Sequence, residues 1–282
     1  MRGTHTGLDS SSYLSHPDVK RAVEDALAED VGAGDITTGS CIPAELQSEA
    51  WFVAQEDITV AGAELLSLLF DIVEFSKVSG DRAAPGDRIT CVRGPACMLL
   101  TRERVALNFL QRLSGVATLA AKFVAAVEGT GVRILDTRKT TPGLRVLEKM
   151  AAAAGGVVNH RMGLYDAVLI KNNHIRLAGG VSLAIERARV AGKPIEVETR
   201  TRPEIEEALA CGVARILLDN MTPQQAAVEI RFINRRAEVE ISGGVTLENV
   251  RSYAEARPDF ISSGSITHSA RAVDINCGIY AL

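Results

Sequence analysis

From about residue 132 onward the sequence alternates short β-branched runs with helical patterns, and this rhythm narrows the possible folds more than any other feature. The runs are 132–136 (VRILD), 167–170 (AVLI), 194–198 (PIEVE), 214–219 (ARILLD), 237–241 (AEVEI) and 259–263 (DFISS). Segments between them, such as 181–191 and 202–211, carry helix formers, and several end at glycine, as Ala210-Cys211-Gly212 does. A strand that runs parallel to its predecessor needs a crossover, usually a helix. About six such units without a G-x-G-x-x-G turn favour an α/β barrel over a dinucleotide-binding open sheet. An extra strand is a candidate near 156–161.

The first half has another rhythm. Residues 17–30 (PDVKRAVEDALAED) read as an amphipathic helix with proline in its first turn. A strand pattern at 49–60, a helix at 63–71 and strands at 73–78 and 88–93 follow, the last two separated by turn signals at Gly80-Asp81 and Pro85-Gly86-Asp87. A long helical stretch, 100–127, is expected to break near Ser114-Gly115. Strands close together in sequence make this half α+β.

Composition removes several function classes. The chain is 46% hydrophobic and 23% charged, which suits a soluble globular protein. A net charge of −4 with no run of five basic residues argues against a nucleic-acid surface, so any cationic site must be local. No apolar stretch is long enough to span a membrane, and Met1 to Ser12 lack the apolar core of a signal peptide. Cys41, Cys91, Cys97, Cys211 and Cys277 are scattered and lack C-x-x-C spacing, so they read as reduced thiols of a cytoplasmic protein.

In α/β barrels, ligands sit at the C-terminal ends of the strands. Here those ends carry Asp136-Thr137-Arg138-Lys139, Lys171-Asn172-Asn173-His174, Glu198, Asp219-Asn220, Ser242-Gly243-Gly244 and Ser263-Gly264, with Asn159-His160-Arg161 ahead of the second strand. Each element alone has an ordinary reading: a loop lysine is solvated, a carboxylate caps a helix, Ser-Gly-Gly makes a turn. The ordered set points further. Early strands present the cations Arg138, Lys139, Arg161 and Lys171, middle strands present carboxylates, and late strands present small residues whose N–H groups can approach a phosphate. Converging cations need a multiply charged anion among them. Carboxylates without a neighbouring thiol or paired histidine suit Mg²⁺ or sugar hydroxyls. The site therefore reads as one for an anionic acid, a phosphorylated sugar and a metal.

These residues resemble a known family. Thr137-Arg138-Lys139-Thr140-Thr141-Pro142-Gly143-Leu144-Arg145, with Glu148-Lys149 behind it, is similar to the signature of the quinolinate phosphoribosyltransferases. The similarity continues through Asn159-His160-Arg161, Leu164-Tyr165-Asp166, Leu169-Ile170-Lys171-Asn172-Asn173-His174, Glu196-Val197-Glu198-Thr199, Leu217-Leu218-Asp219-Asn220-Met221, Ser242-Gly243-Gly244 and Gly264-Ser265-Ile266-Thr267-His268-Ser269. Upstream, Glu29-Asp30-Val31-Gly32 with Gly34-Asp35-Ile36-Thr37, and Glu103-Arg104-Val105-Ala106-Leu107-Asn108-Phe109-Leu110, also fit. The resemblance covers residues 17 to 276.

It implies an N-terminal α+β domain packed on an incomplete, about seven-stranded α/β barrel. The domains would be a disordered leader at 1–15, the α+β domain at 16–112 rejoined by 270–282, and the barrel at 113–269. It also implies transfer of phosphoribose from phosphoribosyl pyrophosphate to quinolinate, with Mg²⁺, giving nicotinate mononucleotide, pyrophosphate and CO₂ on the route to NAD. Arg138, His160, Arg161 and Lys171 would bind the acid, joined by Arg104 from the partner of a homodimer. Thr137 and Lys139 would also touch substrate. Glu198 and Asp219 would hold ribose hydroxyls and the metal, and Ser242, Gly243, Gly244, Ser263, Gly264 and Ser265 the 5′-phosphate. Lys139, Lys171, Glu198 and Asp219 would carry the chemistry. Strand-end placement predicts slight burial for Lys139 and Arg161. The chain departs from the pattern at Ala151-Ala152-Ala153-Ala154-Gly155-Gly156-Val157-Val158, where the family often has a basic residue, and at Asn172, where aspartate is common. Rival readings are a molybdate-transport-associated paralogue and a catalytically silent phosphosugar-binding protein.

Overall fold

The structure is a computed structural model and describes residues 13–282. Most of the expected leader lies outside the described residues. Its last part, Tyr13–Ser15, is a 3-10 turn, because Tyr13 is buried and its hydroxyl donates to Glu64 at 3.0 Å.

The chain divides into two compact units. The first takes the described residues up to Ala121, with Thr140–Gly156 and Ile266–Leu282; the second takes Lys122–Lys139 and Val157–Ser265. The division differs from the expected one because the segment 140–156 leaves the barrel half. In that segment Glu148 is buried and bonded to Arg112 of the first unit.

In the first unit, helix α1 (Pro17–Val31) starts at proline, and α2 (Ile36–Cys41) is capped by Asp35, which accepts the Thr38 N–H at 2.9 Å. Strand β1 (Gln47–Ala54) alternates exposed and buried positions, as a strand with one covered face must. Short β2 (Ile58–Thr59) pairs antiparallel with β4 (Arg82–Ala83). Strands β3 (Ile72–Phe75) and β5 (Arg88–Pro95) pair with one another, and β5 also pairs with β1. The expected helix at 63–71 is a 3-10 helix, Ala63–Leu68.

Helix α3 (Ala96–Ala126) runs without the expected break. Gly115 is there for closeness: a Cβ on it would lie 2.0 Å from the Arg271 carbonyl oxygen. The buried Ser114 hydroxyl accepts the Ala61 N–H at 3.0 Å, so the Ser-Gly pair is a packing contact inside the helix.

The second unit holds β6 (Arg133–Leu135), β7 (Val168–Ile170), β8 (Ile195–Thr199), β9 (Arg215–Asp219), β10 (Glu238–Ser242) and β11 (Phe260–Ser262). All lie within or close to the runs read from the sequence. They form one parallel sheet in the order β6-β11-β10-β9-β8-β7. An isolated parallel bridge between Leu135 and Val158 flanks β6, where the extra strand was expected, so the barrel is incomplete. Helix α4 (Arg145–Ala154) belongs to the first unit. Helices α5 (Asn172–Ala178), α6 (Val181–Ala188), α7 (Arg202–Ala210), α8 (Pro223–Ile233) and α9 (Val250–Ala254) connect the strands, and α10 (Ser265–His268) follows β11. Capping boxes at Thr201 with Glu204 and Thr222 with Gln225 start α7 and α8 directly after the ends of β8 and β9.

Strand parity decides where the polar groups go. Val197, Ile216, Leu218, Ile241 and Ile261 are fully buried on one face of the sheet. Glu196, Glu198, Leu217, Asp219, Glu240, Ser242 and Ser262 fall on the other, at the alternate positions. Strand β12 (Ile275–Ala281) returns to the first unit and pairs antiparallel with β1. No helix among the described residues is long and apolar enough to cross a membrane.

Candidate functional site

The polar face of the second sheet ends in a cavity of about 270 Å³. Its walls bring together Thr137, Arg138, Lys139, His160, Arg161 and Lys171 on one side with Glu198, Asp219, Ser242, Gly243 and Gly244 on the other. Residues scattered over more than a hundred positions thus converge because they sit at or just beyond the C-terminal ends of the parallel strands, or, for His160 and Arg161, just after the isolated parallel bridge at Val158.

The cationic side is built on Asp136. Its buried carboxylate accepts the His160 N–H at 2.8 Å and the Asn159 side-chain N–H at 2.7 Å, tying the end of β6 to the Asn-His-Arg segment. Asp166 accepts the N–H groups of Met162 at 2.6 Å and Gly163 at 3.0 Å, shaping the loop that follows. Lys139 and Lys171 are exposed, as strand-end placement predicted for Lys139. Arg161 is not: it is 9% exposed, and its guanidinium donates to the Ala167 carbonyl at 3.2 Å. The loop at 162–167 folds back to take up that guanidinium. Burial, and then the charge of Arg138, pulls the Arg161 pKa below its usual value. A carboxylate ligand between the two arginines would relieve that repulsion.

The acidic side is built on the ends of β8 and β9. Glu198 lies close enough to Asp219 that burial, and then the charge of Asp219, raises its pKa, with Lys171 opposing. Asn172 donates to Glu198 at 2.6 Å. An aspartate at 172 could not donate this bond while ionised, so the departure from the family pattern gives Glu198 a neutral partner. Arg200, a residue the strand-end reading did not single out, donates from Nε to Asp219 at 3.1 Å and reaches Glu198 at 3.7 Å. Two oxygen donors sharing one counter-cation form a set into which a hard divalent ion fits.

Gly243 (φ +94°) follows β10 where a Cβ would lie 2.3 Å from the Asn220 side-chain oxygen, so only glycine lets the two loops meet. At Ser263, whose N–H was expected to meet the phosphate, that N–H donates to the Leu135 carbonyl at 3.2 Å. Ser263 is buried, its hydroxyl donates to the Val245 carbonyl at 2.7 Å, and it lies 2.7 Å from the Ser265 hydroxyl. Neither serine lines the cavity, nor does Gly264. Arg104 stands exposed on α3 in the first unit.

Below the mouth, His160 Nε2 lies 3.3 Å from Glu196 and 3.5 Å from Glu240, both buried. Two influences on this ring conflict. Burial disfavours its charge, but the two carboxylates outweigh burial and draw the pKa up to about 9. Nδ1, however, accepts the Arg161 N–H at 2.7 Å, and an imidazolium would need a proton there. The local hydrogen bond is the firmer constraint, because an N–H cannot face another N–H at that distance. The ring is therefore the Nε2–H tautomer, with the carboxylate pair short of one positive charge. Burial, and then Glu240, correspondingly raises the Glu196 carboxyl to about 7. With both nitrogens engaged inside the protein, His160 has no N–H left for a substrate carboxylate, contrary to the expected role. Glu196 and Glu240 carried no separate role in the sequence reading. Their signal was parity: each stands two residues before a cavity residue, on the same strand face.

The chain matches the quinolinate phosphoribosyl transferase C-terminal domain over residues 116–277 and the N-terminal domain of the same family over 35–114. It is 42% identical to the chloroplastic nicotinate-nucleotide pyrophosphorylase (carboxylating) of Arabidopsis thaliana, over 94% of this chain and 84% of that protein. It is 38% identical to the probable nicotinate-nucleotide pyrophosphorylase (carboxylating) of Bacillus subtilis, over 94% of this chain and 95% of that protein. Among solved structures, the nicotinate-nucleotide pyrophosphorylase from Francisella tularensis is similar with a TM-score of 0.89 at 33% identity, covering 95% of this chain and 99% of that one. That from Ehrlichia chaffeensis has a TM-score of 0.89 at 38% identity, covering 92% and 98%.

Proposed function

Because the chain belongs to the quinolinate phosphoribosyltransferase family, we propose that its cavity transfers phosphoribose from phosphoribosyl pyrophosphate to quinolinate and releases CO₂, forming nicotinate mononucleotide for NAD biosynthesis. The observation that carries this reading is the convergence of Arg138, Lys139, Arg161 and Lys171 with Glu198 and Asp219 on one cavity.

Arg138, Arg161 and Lys171 meet the two carboxylates of the acid, where an arginine fork pairs with a carboxylate through two parallel bonds. Thr137 and Lys139 stand beside them, and the exposed ammonium of Lys139 can reach the pyrophosphate. The pyridine nitrogen attacks the ribose C1 as the bond from C1 to the pyrophosphate oxygen breaks. Positive charge grows on C1, and Glu198 and Asp219 face it. The positive charge of the alkylated nitrogen then stabilises the electron pair that stays on the adjacent ring carbon as its carboxylate departs as CO₂, and a solvent proton bonds to that pair. The protein's part is orientation and charge balance. Gly243 and Gly244, with Ser242, offer the 5′-phosphate close backbone approach.

The chemistry of Glu198 and Asp219 fits Mg²⁺, which when bound would neutralise the leaving pyrophosphate. Arg200 would then exchange its carboxylate partners for the ion. Arg104, exposed on α3, supports a homodimer in which it reaches the partner's cavity. The five cysteines, all free, support a reducing compartment such as the cytoplasm.

The test is loss of quinolinate absorbance in the presence of phosphoribosyl pyrophosphate and Mg²⁺. Turnover that stops without the metal is expected. Turnover of another pyridine acid but not of quinolinate overturns the substrate assignment.

A further inference from the structure

Glu240 lies at the centre of β10, fully buried between the apolar residues Leu217 and Phe260 of the two neighbouring strands. Neither of its carboxylate oxygens has a hydrogen-bond partner of good geometry, and Glu196 Oε1 has none. Placing two carboxylates side by side in a protein interior is costly, and apolar residues of similar volume usually serve stability as well or better. The cluster therefore needs a reason other than stability.

The geometry supplies one. The side chain of His160 connects this buried pair to the backbone that carries Arg161. Nε2 faces Glu196 and Glu240, while Nδ1 accepts the Arg161 N–H. The other side of the same peptide segment is held by Asp136 through the His160 N–H. Arg161 is thus mounted on a peptide fixed at both ends, one end by Asp136 and the other by the imidazole. It needs such a mount, because the charged group of the cavity lining that acts on it most is the like-charged Arg138.

We propose that Glu240, with Glu196, is a positioning residue for acid recognition that acts through His160 to fix the Arg161 backbone. The groups facing the imidazole and its backbone are Glu196 from β8, Glu240 from β10, Asp136 from the end of β6 and Arg161 from its own segment; Arg215 of β9 lies behind Glu240 at 3.6 Å. Arg215 cannot give its whole charge to Glu240. Its guanidinium also pairs with Glu238 at 2.8 Å and lies 3.9 Å over the Phe260 ring. Glu240 therefore remains available to hold the histidine. The role deepens the quinolinate reading and rests on it.

The test is the Glu240→Gln variant, which keeps shape and an acceptor oxygen but removes the charge. Steady-state kinetics with each substrate varied in turn are combined with calorimetry of phthalate, an aromatic ortho-dicarboxylate without a ring nitrogen to react. The expected result is a rise of about tenfold in KM for quinolinate and in Kd for phthalate, equivalent to about 1.4 kcal/mol. KM for phosphoribosyl pyrophosphate should stay within about twofold, and the melting temperature should not fall. Equal shifts for both substrates, or no shift, overturn the proposal. So does a stoichiometric divalent metal in the purified wild type that is lost in the variant, because the carboxylates would then be ligands. If Glu240→Gln does not fold, Glu196→Gln decides by the same two criteria. A wild type that binds phthalate but does not consume quinolinate refutes the activity alone, and phthalate affinity still reads the positioning role.

Discussion

Among the described residues three carboxylates are completely buried, and two of them, Glu148 and Glu240, live in opposite circumstances. Glu148 on α4 accepts from Arg112 at 2.6 Å, from the Thr141 N–H at 3.0 Å and from the Thr141 hydroxyl at 2.7 Å. Arg112 in turn donates to the Thr267 carbonyl at 2.6 Å and to the Ala270 carbonyl at 2.5 Å. Glu240 on β10 has an imidazole at 3.5 Å, a shared arginine at 3.6 Å and another carboxylate beside it. A buried charge whose lone pairs are all filled holds structure together. One left short of partners stores a cost that is useful only if something acts through it. Glu148 joins three stretches of the first unit, whereas Glu240 forms part of the lining of the cavity of the second.

The contrast can be broken most easily at Glu148. Glu148→Ala leaves a guanidinium largely enclosed without its counter-ion, and a loss of about 3 kcal/mol or more in urea unfolding is expected. A loss below about 1 kcal/mol would mean that the network around Arg112 satisfies itself without the carboxylate.

Acidity sharpens the other side. With its pKa raised to about 7, the Glu196 carboxyl keeps its proton in the folded state where the unfolded chain has lost it, above about pH 4.3. The folded state then binds more protons than the unfolded one, so stability falls as pH rises between about 4.3 and 7 and levels off above that. At about 1.4 kcal/mol per pH unit the fall attributable to this group is of order 4 kcal/mol. Melting curves of wild type and Glu196→Gln across this window should diverge in that sense, and parallel curves would remove the raised carboxyl from the account.

The mouth should respond in rate rather than stability. Lys139→Ala is expected to lower kcat/KM by more than about tenfold with an unchanged melting temperature, since the side chain is exposed. Arg161→Ala should lower activity at least as much but also destabilise, because that side chain is buried. Wild-type kinetics in both would refute the cationic wall. The smallest effect is expected at Asn172. Removing its bond to Glu198 by Asn172→Ala should raise KM for phosphoribosyl pyrophosphate about threefold and leave KM for quinolinate unchanged.

Much of this was readable in the chain. The strand runs at 194–198, 214–219 and 237–241 fall within one residue of β8, β9 and β10 because buried parallel strands are short, β-branched and bounded by turn residues. The strand-end rule then found Lys139, Lys171, Glu198, Asp219 and Gly243. At Ser263 it counted on a backbone N–H that the strand ladder uses, since that N–H donates to the Leu135 carbonyl at 3.2 Å. It misread Ser114-Gly115 because a glycine that admits another backbone looks, in one dimension, like one that ends a helix. It missed Arg200, whose guanidinium reaches across from the end of one strand to the carboxylate of the next.

What the sequence determined by itself, then, is the alternation of elements and the kinds of group at their ends, because periodicity and turn chemistry are local. Only the tertiary structure decided which groups meet. It committed both nitrogens of His160 inside the protein, buried Arg161, and set Glu196 and Glu240 side by side although 44 residues separate them in the chain. Those outcomes depend on strand register and on which polar atoms find partners, and a buried carboxylate acquires its meaning only from the neighbours that register places around it.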